Sequence, residues 1–280
     1  MFFLNFRSQN VGGTVIDPYA LEGDGTASPP SLHVVDWARV AARVIGKNLL
    51  FCVHGFNVSY EHGARSLAQL EPYLGLTESD VIFAVLWPGD YWLPVINYPF
   101  EGSVAMDCGR RLAACCDRWF AGAQSLCFAS HSLGARLVLE AVKNLSHPAR
   151  AVCLTAAAVN MDCLTTEYAG STSNASQINL LASKKDLVLK VAFRIGDPIS
   201  DLLHDDHRQF ETALGYSGPP VPAMPPIAFP WQISETEHFG HGDYLPPGAA
   251  VQGAQAVPPK WRRTAEFMLR SFHGQPQVWP

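Results

Sequence analysis

Apolar residues fall along the chain in two alternating rhythms. Near-continuous apolar runs read "NLLFCVHGF", "DVIFAVLWPG", "SLCFASHS", "ARAVCLTAAAV" and "QINLLAS", and "PIAFPWQIS" reads as the final strand. Runs of this kind predict strands covered on both faces, hence a parallel sheet. Between them lie "SVAMDCGRRLAACCDRWF" and "GARLVLEAVKNL", with "PKWRRTAEFMLRSF" near the end; their apolar spacing predicts amphipathic helices. "LHVVDWARVAARVI" has helical spacing as well, and "MFFLNFR" reads as a first strand. The alternation predicts a three-layer, doubly wound α/β fold around a mostly parallel sheet. Two stretches break the rhythm. Residues 11–30 are rich in Gly, Pro and Asp and predict a loop or edge hairpin. Residues 196–230 form a long, partly Pro-rich excursion, expected to be a partial lid or a long loop. No repeat or domain boundary interrupts the pattern, so one domain is expected over 1–280.

Composition narrows the class. A net charge of -5, with no basic stripe, excludes nucleic acid as an expected partner. "MFFLNFR" contains Asn5 and Arg7 and lacks the pattern of a signal peptide. No apolar run approaches the ~20 residues of a spanning helix, so a protein without a membrane-spanning segment is expected. The seven cysteines form no C-x-x-C pair, and several lie inside apolar runs. They read as small buried hydrophobes in a reducing, cytoplasmic setting.

The chemistry is concentrated in "SHSLGARL", residues 130–137. A strand, a sharp turn and a helix make the context in which an elbow presents a nucleophilic serine. Such a turn needs small residues two before and two after the nucleophile. With Ser132 as nucleophile those positions are Ser130 and Gly134; with Ser130 they are Phe128 and Ser132, and Phe128 clashes. Ser132 is therefore the candidate, with Ser130 in place of the usual glycine. "FCVHGFN" ends an earlier strand. The loop after that strand supplies one oxyanion-hole N–H in such sheets, and the residue after the nucleophile supplies the other. The donors expected are Phe56 and Leu133, with Gly55 allowing close approach and His54 bonding the loop backbone.

These segments resemble the bacterial α/β-hydrolases of unknown function. The shared motifs read "VHGFN" (53–57), "LWPGD" (86–90), "SHSLG" (130–134), "SKKD" (183–186) and "HGDY" (241–244). The resemblance implies an α/β-hydrolase fold and a nucleophile–acid–base triad; it implies no particular substrate. After "AVCLTAAAV" the family tends to carry a Pro-Asp pair, where this chain has Asn160-Met161-Asp162.

The expected triad order is Ser, then acid, then His. Asp186, after the strand "QINLLAS", is the first choice of acid and Asp162 the second; a helix-capping role fits Asp162 better. His241, in the "H-x-x-Y" segment and flanked by Gly240 and Gly242, is preferred as base over His238. His54, Trp87, Tyr91 and His131 are the substrate-pocket candidates, and Trp92, Tyr98 and Phe100 extend the aromatic stretch; core packing of a long loop is the alternative for each aromatic, and the resemblance implies it for Trp87. "HDDHRQF" and "EHFGH" lack the spacing of a metal motif, so neither a metal nor an organic cofactor is expected. The expected activity is hydrolysis of a small-molecule carboxylic ester through an acyl-enzyme. Acyl transfer, thioester cleavage or lipase action would keep the same site, and a non-catalytic binding module is the reading of another class.

Overall fold

The computed structural model describes residues 1–90, 98–191, 212–221, 224–249, 259–275 and 277–279; over 98–101 it describes backbone alone. Its centre is a nine-stranded sheet in the order β3-β2-β1-β5-β4-β6-β7-β8-β9. The strands are β1 (Phe2–Arg7), β2 (Val15–Asp24), β3 (Ser31–Val34), β4 (Asn48–Val53), β5 (Asp80–Leu86), β6 (Ser125–His131), β7 (Ala151–Thr155), β8 (Ile178–Ser183) and β9 (Ala228–Ile233). From β1 to β9 every neighbouring pair is parallel, while β2 and β3 extend one edge antiparallel.

The apolar runs become strands because both sheet faces are covered. Phe2, Phe83, Phe51 and Phe128 lie in one cross-strand row on β1, β5, β4 and β6. Their ring centroids are 5.4, 5.2 and 5.1 Å apart in that order. Phe120, just past α3 (Tyr98–Trp119), caps the row at 5.0 Å from Phe83. Trp37 of α1 (Trp37–Val44) stacks on Trp119 of α3, and α4 (Gly134–Asn144) packs beside α3. The opposite face carries α2 (Tyr60–Leu70), whose Ala64 and Ala68 approach Phe3, and a C-terminal helix, Trp261–Phe272. The Phe272 carbonyl of that helix accepts a hydrogen bond from Cys127, the neighbour of Phe128 that points the other way. The three-layer fold is thus the one expected.

Two local expectations shift. The helix anticipated from Leu32 begins only at Trp37, because Asp36 caps it, accepting from the Ala38 N–H at 2.7 Å. Residues 31–34 instead pair with β2. The stretch 11–30 resolves as the hairpin alternative. Pro18 sits in β2 where the pairing with β1 slips between Tyr19 and Val15, so its missing N–H interrupts no regular ladder.

The site is positioned by the winding of the chain. From β4 the chain moves outward to β5, then returns over β4 to β6, so β4 and β6 are neighbours. The crevice at their C-terminal ends is the topological switch point where open α/β sheets place ligands. Of the excursion 196–230, residues 196–211 and 222–223 lie outside the described residues. Residues 212–217 are anchored to the loop after β7, with Leu214 N–H to Val159 O at 2.8 Å and Gly215 N–H to Ala157 O at 2.9 Å. Leu214 is fully buried, so this part of the excursion belongs to the body of the domain.

Candidate active site

β6 ends at His131, and Ser132 follows with φ 55, in the left-handed region that a side chain rarely adopts. The strain is held from β7 and the loop beyond it. Ser132 N–H donates to Thr155 O at 3.0 Å, and Ala158 N–H donates to Ser132 O at 3.1 Å. The Thr155 hydroxyl bonds the Ser130 carbonyl at 2.8 Å. Gly134 opens α4 where a Cβ would stand 2.6 Å from the His54 carbonyl oxygen, so the elbow and the β4 loop close only over glycine. The Ser130 hydroxyl, in the usual glycine position, is buried without a hydrogen bond among the described residues.

The β4 loop lies directly against the elbow. A Cβ on Gly55 would stand 3.0 Å from Ser132 Cβ and 2.9 Å from His131 Nδ1. Neither the Phe56 N–H nor the Leu133 N–H donates to another group among the described residues. Two unspent donors beside a serine are what an oxyanion hole requires.

The imidazole of His241 reaches Ser132 from the loop after β9. Its Nε2 stands 2.9 Å from Ser132 Oγ, and its Nδ1 stands 2.7 Å from Asp186 Oδ2. A proton on Nδ1, donated to the carboxylate, leaves Nε2 free to accept from the hydroxyl. Asp186 is fully buried, whereas the His241 side chain keeps 18% exposure toward the crevice. Asp186 also caps a helix: its Oδ1 accepts from Leu189 N–H at 3.0 Å, and the helix runs over 187–191. A capping role thus belongs to Asp186 as well as a place beside the imidazole. One carboxylate oxygen faces the helix N-terminus and the other faces the imidazole. Lys184 is exposed, and Lys185 pairs with Glu235 at 3.1 Å.

The rejected alternatives lie elsewhere. His238 is exposed, and its carbonyl accepts from Lys260 Nζ at 2.6 Å. The backbone carbonyl of Asp162 accepts from the hydroxyls of Thr165 and Thr166, and the carboxylate that meets His241 Nδ1 is that of Asp186. Gly240 and Gly242 both avoid positive φ, so aiming His241 does not depend on glycine freedom there. The loop is pinned by contacts instead. Phe239 O accepts from the Ser183 hydroxyl at 2.7 Å, and Gly240 N–H bonds Asp243 Oδ2 at 2.7 Å. Glu237 holds Arg263 and the Trp279 indole N–H, the latter at 3.0 Å.

Two pocket assignments need correction. His54 and Trp87 are buried and stacked on each other at 5.7 Å, so they carry the loop rather than line an open cavity. His54 Nδ1 donates to Gly55 O at 2.8 Å and its Nε2 accepts from Trp87 N–H at 3.3 Å, while Trp87 Nε1 donates to His54 O at 2.9 Å. His131 is mostly buried, and its Nε2 is engaged by the His241 carbonyl at 2.9 Å. Tyr91 and Trp92 lie outside the described residues, as does "HDDHRQF"; Tyr98 and Phe100 are described as backbone only. Among the described residues no group of three or more His, Cys, Asp or Glu side chains is placed to hold a metal ion. All seven cysteines are buried and unbridged. Among the described residues no helix is long and apolar enough to cross a membrane.

Sequence reading missed Arg7. Its buried guanidinium donates to Gln9 O, Asn10 O at 3.0 Å, Val58 O at 3.2 Å, Trp87 O at 2.8 Å and the Asp90 carboxylate. One side chain thereby ties the end of β1 to the loops after β4 and β5. An arginine closing an apolar strand was the available signal, since such a charge must find buried partners.

Burial holds both His54 and His131 neutral. Desolvation pushes each pKa down to about 3, and for His131 the neighbouring His241 adds to the effect. Below the ordinary histidine value of about 6.5, the unfolded chain takes up protons at these positions that the folded chain refuses. Unfolding is therefore favoured as pH falls from about 6.5 toward 3. The urea midpoint should drop between pH 7 and pH 5, with both imidazole C–H resonances fixed at neutral-form positions. A midpoint that holds steady while either ring titrates near its ordinary value would contradict this.

A parallel sheet covered on both faces, with a left-handed serine at the strand-to-helix turn of its switch point, defines an α/β-hydrolase. A family profile described as alpha/beta hydrolase of unknown function (DUF900) matches residues 38–209, more than half of the chain, and the chain belongs to that family. No curated protein matches it. Among solved structures, the crystal structure of esterase PE8 aligns at 17% identity and a TM-score of 0.40, covering 71% of this chain and 88% of that one.

Proposed function

We propose that the protein is a serine hydrolase that cleaves carboxylic esters of small molecules through an acyl-enzyme on Ser132. The observation that carries this reading is the unbroken chain from Ser132 Oγ through the His241 imidazole to Asp186, with contacts of 2.9 and 2.7 Å. His241 Nε2 takes the hydroxyl proton as Oγ bonds to the ester carbonyl carbon. The Phe56 and Leu133 N–H groups hold the resulting oxyanion, a contribution of about 3 kcal/mol per donor. Collapse breaks the bond to the alkoxy oxygen, which leaves with the proton from His241. Water, deprotonated by the same imidazole, then attacks the acyl carbon, and Ser132 departs with that proton restored. Asp186 holds the tautomer and stabilises the imidazolium formed in each half-reaction. Buried, unbridged cysteines support a reducing compartment such as the cytoplasm.

The test is a series of p-nitrophenyl esters of increasing acyl length. At least one should give turnover preceded by a nitrophenolate burst close to one equivalent of enzyme. Folded protein that releases no nitrophenolate from any of them, in burst or steady state, would overturn the reading.

A further inference from the structure

Ser132, His241 and Asp186 account for the proton path, and Phe56 and Leu133 for the charge. They leave unexplained the imidazole at residue 131, at the end of β6 immediately before the elbow. Its Nε2 lies 2.9 Å from the backbone oxygen of His241. A carbonyl can only accept, so the proton sits on Nε2 and Nδ1 is bare. The bare nitrogen faces the β4 loop, where a Cβ on Gly55 would stand 2.9 Å away. The ring lies 4.7 Å from the His241 ring and 5.9 Å from that of Tyr244. One side chain thus touches the loop that carries the base, the loop that carries an oxyanion donor, and the turn that carries the nucleophile.

We infer that His131 is a positioning residue, a strut whose Nε2–H holds the His241 backbone at the distance where the His241 ring meets both Ser132 and Asp186. The inference rests on the reading of those three residues proposed above. The His241 loop reaches the site from the far end of the sheet, and its anchors through Phe239 and Gly240 hold the residues before His241, not the His241 carbonyl itself. A hydrogen bond from the nucleophile's own neighbour fixes base and nucleophile relative to each other. The strut must also be neutral, because a cation this close to His241 would oppose the imidazolium that forms there. Burial keeps it so, with its pKa pushed down to about 3.

A displacement of about 1 Å at a reacting group can cost about 100-fold in rate. His131→Phe keeps a ring and removes the donor, and should lower kcat on p-nitrophenyl acetate by about 10- to 100-fold, with KM nearly unchanged. His131→Gln places an amide N–H near the Nε2 position and should recover most of that loss. His131→Asn is too short to reach, and should behave like Phe; it serves if the larger ring disturbs folding. The low-field Nδ1–H proton resonance of His241 should shift or broaden in the Phe and Asn variants and return in Gln. A purely structural histidine would lower the melting temperature and leave kcat and this resonance alone. A pocket-lining histidine would raise KM instead. Either outcome, or equal losses in Gln and Phe, overturns the strut while wild-type turnover leaves the proposed hydrolase standing. A wild type that neither turns over p-nitrophenyl acetate nor reacts with a fluorophosphonate would instead sink the hydrolase reading, and the strut with it.

Discussion

Ser132→Ala is expected to reduce ester turnover by roughly a million-fold while leaving the fold intact. The size follows from how the site divides its labour. Without Oγ no covalent intermediate forms, and His241 and Asp186 have nothing to activate. What survives is binding and the two peptide donors, which alone retain modest catalysis over water. The fold should not suffer, because Ser132 is held through its backbone, by Thr155 O and Ala158 N–H, and those bonds survive the substitution. Alanine also relieves no strain, since it meets the same penalty at φ 55. Steady-state kinetics together with circular dichroism check both halves. Residual activity within tenfold of wild type would place the nucleophile elsewhere.

The second large effect separates the two duties of Asp186. Asp186→Asn should lower kcat by about 10⁴-fold with little change in stability. The asparagine carbonyl can still accept from Leu189 N–H and cap the helix. Its amide then turns an N–H toward His241 Nδ1, which forces the ring proton onto Nε2, and a protonated Nε2 cannot accept from Ser132. Asp186→Ala should lose comparable activity and also about 1 kcal/mol of stability, the usual worth of an N-cap. Urea denaturation of the two variants checks the difference. Equal stabilities would show that the cap contributes nothing; an active Asn variant would remove Asp186 from the mechanism.

The inner strands β4 to β8 were legible because both sheet faces are buried there, which writes each as a near-continuous apolar run. The elbow was legible because its constraints are local. The turn demands small residues at fixed offsets, and only Ser132 satisfies them in "SHSLGARL". β2 was harder to read: Pro18 and Gly23 look like loop residues until β1 absorbs Pro18 at a register slip and β3 pairs Gly23 with Leu32. What lay hidden depends on partners far along the chain. Arg7 gains meaning from Val58, Trp87 and Asp90. Trp87 reads as a pocket aromatic until His54 stacks beneath it. The hold of Trp279 on Glu237, just ahead of His241, joins a tail to a loop that no spacing rule connects. That Asp186 also caps a helix was not legible, because a carboxylate has two oxygens and sequence shows the direction of neither.

The whole account turns on the reactivity of one hydroxyl. Fluorophosphonate treatment of the folded wild-type protein, followed by digestion and mass spectrometry, measures it most directly. The prediction is a single phosphonyl adduct on Ser132, formed in wild type and absent from His241→Ala. An adduct on another residue, or none on folded protein that still hydrolyses esters, would contradict it.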